Sequence, residues 1–371
     1  MDQNRLAQLA LHFIPGIGNF AVKQLVSYSG SAESVFKLPK AKLLKIPGIG
    51  PATAKSILEN RPFAKAETEL VRAEKENTRL LLYSDKDFPQ RLKHINNAPS
   101  LLYYKGNADL NAERVVAIVG TRNATEYGRD FTAEFIEGLK IHNALIVSGL
   151  AYGIDIQAHK CSLKSGLPTV GVMASGVDII YPALHKETAR QMTEHGGILT
   201  EHSFGSKPDA PKFPARNRII AGMSDAIVVV EAAKKGGALI TAEIANSYSK
   251  DVFAVPGDRK SSFSEGCNDL IKTNKAHLLT DIKDLEYIMN WEPLEEGQEK
   301  PEAKVDISSL DDEEVLVFSE LKKHGTAIAI DNLSWQTQLP VGRLASVLLN
   351  LEFKGFVNSL PGKSYKLANS K

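Results

Sequence analysis

The sequence has few of the features that mark secreted, membrane or metal-binding proteins. Its two cysteines, Cys161 and Cys267, match no metal-ligand spacing and suggest no disulfide framework. No apolar run approaches the roughly 20 residues that a membrane-spanning helix needs, and MDQNRLAQLALHF lacks the basic start of a signal peptide. We therefore expect a cytoplasmic protein without a metal, a cofactor or a membrane partner.

An excess of charge of either sign is also missing. The 371 residues include 45 Lys plus Arg and 44 Asp plus Glu, for a formal net charge of +1. A nucleic-acid partner would therefore have to be attracted by a local patch and not by a basic protein as a whole. The length predicts two or three domains.

A short repeat opens the chain. FIPGIGNFAVKQLV and KIPGIGPATAKSIL share a PGIG core followed by a helical pattern. This is the form of a helix–hairpin–helix, in which glycines let backbone N–H groups approach a phosphate at a helix N-terminus. A compact helical domain with two tight turns fits the same residues, and both interpretations stay open. The module is predicted over 1–62, with candidate phosphate contacts at Gly16, Gly18, Gly48 and Gly50.

The rest of the chain alternates apolar strands with helical patterns, which predicts an α/β fold with a mostly parallel, Rossmann-like sheet over 63–290. Residues 291–308 contain six acids and two lysines without apolar periodicity, which indicates a linker. Three helical segments and a hairpin over 309–371 predict a winged helix. The predicted strands are VVAIVG (115–120), ALIVSG (144–149), TVGVMAS (169–175), GILTEH (197–202), AIVVVEA (226–232) and DVFAVPG (251–257).

Small residues and cations follow several predicted strands at the sheet edge where open α/β folds bind ligands. Such turns hold anions on free N–H groups, although their glycines also let helices pack on strands. The motifs G-x-G-x-x-G, after the first strand, and G-x-x-x-x-G-K-[ST] are missing, which argues against NAD and ATP but not against phosphate. The candidate contacts are Gly120, Thr121, Arg122, Ser148, Gly149, Lys234, Gly236, Gly237 and Thr241.

The stretch KFPARNRIIAG places a ring among cations at a predicted loop–helix junction, with Pro214 as the expected first helical residue. Lys212 and Arg216 would follow phosphates while Phe213 stacks on a base, as in proteins that bind single strands. The rival interpretation makes Phe213 a hydrophobic staple at the helix start. Asn217 belongs to the same segment.

No catalytic set emerges from the sequence. No nucleophile, acid and metal ligand fall into a recognisable relation, and the candidate carboxylates are Asp155 and Glu243, the latter just beyond a glycine-rich turn. We therefore expect a binding protein and not an enzyme.

An ordered series of segments resembles the DNA-processing protein A (DprA/Smf) family over about residues 115–271. The segments are VAIVGTRNATEYG, SGLAYGIDIQAH, GVDIIYP, FPARNRIIAGMSDAIVVVEA, GALITAEIA, DVFAVPG and GCNDLI. The resemblance implies a protein that binds single-stranded DNA and helps load the RecA recombinase in natural transformation, displacing single-strand-binding protein. By motif match, Arg122 and the segment from Lys212 to Asn217 correspond to positions where the family contacts DNA.

The resemblance also implies a homodimer formed through the end of the core, where AHLLTDIKDLEYIM offers several apolar residues. The alternative class is enzymatic or nucleotide-sensing. GGALITAE is similar to the PGGxGTxxE turn of nucleotide phosphoribohydrolases, in which Arg216 and Glu243 would act on a nucleoside monophosphate. The proline and second motif glycine are missing, which ranks this alternative below DNA binding.

Overall fold

A computed structural model describes residues 3–292, 310–324, 328–354, 356–360 and 364–367. The chain divides into two compact units, Met1–Leu294 and Glu295–Lys371. Most of the predicted linker, residues 293–308, lies outside the described residues. Its first residue, Trp291, packs in the first unit, where its ring lies 5.2 Å from the Arg114 guanidinium carbon and 5.7 Å from the His142 ring.

Within residues 3–292, nine strands form one sheet in the order β1-β2-β6-β5-β4-β3-β7-β8-β9. The strands from β3 to β9 are parallel to one another, whereas β2 is antiparallel to both β6 and β1 at one edge. The six predicted parallel strands are therefore present. The bounds are β1 Arg79–Leu82, β2 Leu101–Gly106, β3 Val115–Val119, β4 Leu145–Ser148, β5 Thr169–Val172, β6 Gly196–Thr200, β7 Ala226–Val229, β8 Asp251–Ala254 and β9 His277–Leu278.

Both faces of the sheet are buried, which explains why its central strands are apolar at every position. In β3, Val115 and Ala117 pack in one cluster with helices on that face, whereas Val116 and Ile118 pack in a cluster on the other face. The covering helices are α7 Gln90–Lys93, α8 Glu126–Gly138, α9 Ile154–Ser165, α10 Lys186–Glu194, α11 Lys212–Met223, α12 Gly237–Ser247, α13 Glu265–Lys272 and α14 Ile282–Met289.

The amino-terminal repeat forms two helical hairpins. Gly16 and Gly48 have φ of +78° and +81°, a left-handed conformation that favours glycine, and Gly18 and Gly50 precede the second helix of each hairpin. The helices share an apolar cluster with Leu80 of β1, so they pack against the sheet. Their bounds are α1 Gln3–His12, α2 Asn19–Ser29, α3 Ala32–Val35, α4 Lys40–Leu43, α5 Pro51–Glu59 and α6 Phe63–Lys75.

The second unit is a winged helix with its own apolar core, which includes Leu321, Leu333 and Leu348. In the described residues, three helices pack with a three-stranded sheet of order β10-β12-β11, whose first strand lies between the first two helices. The bounds are α15 Asp312–His324, β10 Ile328–Ala329, α16 Ile330–Thr337, α17 Val341–Phe353, β11 Val357–Leu360 and β12 Ser364–Leu367. The predicted fold class is confirmed. Among the described residues, no helix is both long and apolar enough to cross a membrane.

Candidate nucleic-acid interface

A groove of about 680 Å³ lies at the carboxyl ends of β3, β4 and β7, the edge where open α/β sheets bind ligands. Loops and helix starts from several parts of the chain converge there because the parallel strands all end at the same edge. The groove brings together most of the residues that the sequence predicts for DNA binding. These are Gly120, Thr121, Arg122, Phe213, Arg216, Asn217, Gly236, Gly237 and Thr241.

Four predicted residues do not line the groove. Ser148 is fully buried, and its hydroxyl donates to the Ile118 carbonyl at 2.6 Å, which holds β4 against β3. Gly149 is buried beneath the groove. The Lys212 ammonium donates a hydrogen bond to the Lys207 carbonyl at 2.6 Å. Lys234 is exposed on the turn before α12. The two lysines therefore contribute charge near the groove, and Ser148 contributes to its frame.

Arg216 is buried in the floor of the groove. Its guanidinium donates hydrogen bonds to the Gly149 carbonyl, at 2.6 Å, and to the Val172 carbonyl. Gly149 directly follows β4, and Val172 is the last residue of β5. Burial lowers the pKa of Arg216 to about 10, against the raising effect of Asp155. Burial also raises the pKa of Asp155, and the Arg216 charge opposes that shift. Arg216 thus joins α11 to two strand ends and lies beside the Asp155 carboxyl in the floor.

Gly149 is needed where Arg216 and Asp155 approach the chain. A methyl group on its Cα would lie 2.5 Å from Arg216 Nη2 and 2.6 Å from Asp155 Oδ2, closer than any non-bonded contact allows. The glycine therefore serves the packing of the buried charges. This explains a glycine in the sequence motif without a direct contact to a ligand.

Phe213 lies inside α11 and not in a loop. The helix begins at Lys212, so the expected start at Pro214 was wrong; the prolines at 211 and 214 both fit a first turn, whose N–H groups have no helical partner. The Phe213 ring is half-buried, 5.8 Å from the Tyr181 ring, with the Arg122 guanidinium carbon 5.7 Å from its centre. One cation and two rings therefore form a cluster on the wall of the groove.

The strand-end helices differ in how their N-termini are satisfied. At α8, the Glu231 carboxylate accepts from Thr125 N at 3.0 Å and from Thr125 Oγ1 at 2.6 Å, and the Glu231 carbonyl accepts from Thr121 N at 2.7 Å. The chain's own carboxylate therefore occupies the position that a phosphate would take at α8. A side chain at Gly128 would collide with this carboxylate.

At α12 no side chain of the described residues caps the N-terminus. Gly236 precedes the helix without a side-chain cap, and the first turn has no acidic residue. Gly236 and Gly237 line the groove, and Lys234 and Lys235 are exposed in the turn before them. Of these two helix starts, α12 is the one open to an anion.

The winged-helix unit offers few cations on its candidate recognition helix. In α17, Arg343 is paired with Glu313 at 2.8 Å. Beyond that helix, Lys354 is paired with Glu314 at 2.6 Å. Lys366 is half-buried in β12, and Lys363 of the predicted wing lies outside the described residues.

Comparison with known proteins places these features in a family. The family described as DNA recombination-mediator protein A matches residues 79–290, a DprA winged helix domain matches 301–363 and a SAM-like helix-hairpin-helix tandem matches 9–76. Protein Smf of Synechocystis sp. is 33% identical over 96% of this chain and 97% of its own length. This chain belongs to the DprA/Smf family.

Two solved structures of the DprA/Smf family resemble this one. The X-ray structure of DprA from Streptococcus pneumoniae has a TM-score of 0.66 and 32% identity, over 77% of this chain and 96% of that chain. DprA from Helicobacter pylori, described for its single-stranded DNA binding mode, has a TM-score of 0.53 and 28% identity, over 58% of this chain and 97% of that chain.

Sequence reasoning missed two residues of this interface. Tyr181 stands in the loop IIYP after β5, and an aromatic residue in a strand-end loop was the signal for it. Glu231 follows β7 in an otherwise apolar run, so a single buried acid there was the available signal. Their roles depend on the contacts with Phe213 and Thr125, which are distant in sequence.

Replacing Glu231 should loosen the loop that carries Arg122. Glu231→Ala removes an acceptor from a helix start at a position only 2% exposed, so we expect the free energy of unfolding to fall by about 1–3 kcal/mol. Glu231→Gln keeps one oxygen acceptor and should lose less. Urea unfolding measures both, with Glu243→Ala as a control because Glu243 is exposed on α12. Equal stability of the Ala variant and the parent would show that the carboxylate does not hold this loop.

Proposed function

We propose that this protein binds single-stranded DNA in the strand-end groove, without sequence preference, and acts as a recombination mediator in the cytoplasm. The cluster of Arg122, Phe213 and Tyr181 beside the open start of α12 carries the proposal. Rings that stack on any base, next to groups that hold phosphate, are how proteins bind single strands without reading them. The description of the Helicobacter pylori relative supports the same ligand.

Each part of the groove has a distinct role in this proposal. The backbone N–H groups at Gly236 and Gly237 take a phosphate, and exposed Arg122 takes a neighbouring one. Phe213 and Tyr181 stack on bases. Arg216 fixes the position of α11 from below the groove. Because the net charge of the whole protein is only +1, this local arrangement has to supply the attraction.

The phosphoribohydrolase alternative needs Arg216 and Glu243 to face one substrate. Arg216 is buried and bonded to two carbonyls, whereas Glu243 is exposed and does not line the groove. The required pair is therefore not assembled, and we favour DNA binding over nucleotide hydrolysis or nucleotide sensing. Release of a free base from a nucleoside monophosphate would reverse this choice.

The recombination step we propose is the loading of RecA onto strands covered by single-strand-binding protein, the role that the family resemblance implies. The experiment measures RecA filament formation on such strands, with RecA ATPase activity as the readout. Filaments should appear sooner when this protein is added. An unchanged lag, with single-strand binding intact, would leave a DNA-binding protein that does not load RecA.

We also propose a homodimer formed through the β9 edge. Leu279 and Leu285 are fully buried in the core and are not available, whereas Leu278, Tyr287 and Ile288 are exposed. An exposed edge strand with apolar neighbours is a surface that a second copy can cover. Sedimentation without DNA tests this, and a monomer mass at every concentration would argue against it.

Phe213 allows stacking to be separated from packing. Phe213→Ala should weaken binding of oligothymidine by about 1–3 kcal/mol, the usual contribution of a stacked base, as measured by fluorescence anisotropy. Phe213→Leu is the matched variant, because leucine preserves a hydrophobic staple but has no aromatic face. If the Leu variant binds like the parent, Phe213 packs the helix start and does not stack.

Arg122→Ala in the same assay should reduce the slope of log affinity against log salt by about one, the loss of one phosphate contact. Arg122→Lys keeps the charge and should keep the slope. A change of slope shared by both variants would indicate a disturbed loop and not a lost phosphate contact.

The winged helix should contribute little to single-strand affinity. Residues 309–371 contain six Lys and one Arg against seven Asp plus Glu, and Arg343 is already paired. Removing the chain after Glu292, which leaves the packed Trp291 in place, should weaken oligothymidine binding less than about tenfold, or ~1.4 kcal/mol. A greater loss, with the unfolding midpoint of the first unit unchanged, would assign the module a direct part in binding. We propose that it serves duplex DNA or a protein partner.

A further inference from the structure

A second groove, of about 430 Å³, lies between α2 and the loops next to β1 and β2. It has no place in the function proposed above. The side chains of interest along it are Phe20, Lys23, Tyr83, Ser84, Asn96 and Ser100. Within residues 3–292, no Asp or Glu lines it. We call it the α2 groove.

The sheet places the α2 groove on the same edge as the strand-end groove. β2 is antiparallel to β6, with Tyr103 opposite Thr200, so β2 begins where β6 ends. β1 is antiparallel to β2, with Leu82 opposite Leu101, so β1 ends at that edge as well. In the sheet order, β2 is the fourth strand from β3. Because neighbouring strands are about 4.8 Å apart, the two grooves are separated by roughly 19 Å. A single extended strand can reach both.

The chemistry of the α2 groove matches that of the first. The Phe20 side chain is 58% exposed on α2. Tyr83 has the Lys23 ammonium 5.0 Å and the Lys93 ammonium 5.5 Å from its ring centre. Exposed or half-exposed rings interleaved with cations, without carboxylates, are suited to bases and phosphates.

The surface between the grooves contains an ion pair next to Lys23. Arg218 of α11 pairs with Glu201, which neutralises the carboxylate at the end of β6. The pKa of Lys23 is lowered mainly by its burial and, to a smaller extent, by the positive charge of Arg218. Asn19 accepts from Ser100 N at 2.9 Å and holds the start of α2 against the sheet.

We propose that the α2 groove is a second single-strand subsite, in which Phe20 stacks on a base and Lys23 and Lys93 contact phosphates. The inference rests on the proposed function and extends it from the strand-end groove along the sheet edge. It gives the amino-terminal helices a DNA contact through the side of α2, where the Phe20 ring lies next to Gly48 of the second hairpin.

The test compares a short and a long oligothymidine, of about three and about twenty nucleotides, on the full chain. Phe20→Ala should weaken binding of the long strand by about fivefold or more, the lower end of one lost stacking contact, and leave the short strand unaffected. Tyr28→Ala is the matched control, because Tyr28 is also 58% exposed on α2 but does not line the groove. Lys23→Gln should lower the salt slope for the long strand only, which provides a second readout if Phe20→Ala folds poorly.

The outcomes separate this inference from the function on which it rests. Binding of the long strand that is unchanged in both Phe20→Ala and Lys23→Gln overturns the α2 subsite while the strand-end groove stands. Equal loss for both lengths also overturns it, because a subsite beyond the first groove cannot affect a strand too short to reach it. A parent protein that binds neither length overturns the proposed function itself.

Discussion

The buried guanidinium of Arg216 is the interaction on which the groove depends. A charge with so little contact with water is tolerated only when its donors are bonded, and the Gly149 and Val172 carbonyls meet that need. These bonds tie α11 to two adjacent strand ends, so Phe213 and Asn217 on the same helix take fixed positions. This arrangement requires glycine at position 149, because a side chain there would collide with Arg216. The same residues thus build the floor and position the wall.

The strand-end helices show how a nearly neutral protein can offer one local anion site. The start of α8 is satisfied internally by Glu231, and the first turn of α9 contains Asp155, whose charge faces Arg216. The start of α12 has no acid and is flanked by lysines. Internal carboxylates therefore exclude phosphate from some helix starts and leave another open. Charge is directed to one place without a large net charge.

The amino-terminal helices and the winged helix differ in whether they share an apolar core with the sheet. The amino-terminal helices share an apolar cluster with β1 and β2, and Asn19 and Arg5 bond to residues of the sheet region. They therefore belong to the surface along which a strand would lie. The winged helix has a separate core, and its Arg343 is engaged by Glu313 within the module. The two modules therefore have different expected roles, because the amino-terminal helices share their apolar core with the sheet edge.

The sequence by itself determined the sheet, its parallel direction and the two peripheral modules. Continuous apolar strands, the repeated PGIG turns and the helical periodicity are local signals that need no knowledge of distant contacts. It also placed Arg122, Phe213 and Gly236 at strand ends, which topology brings to one edge. Only the tertiary structure decided that Ser148 is buried, that Phe213 lies within a helix, and that Glu231 closes the start of α8. Each buried donor or acceptor is hydrogen-bonded by a group that is distant in sequence. A local sequence pattern does not show which group that is, so these outcomes required the tertiary structure.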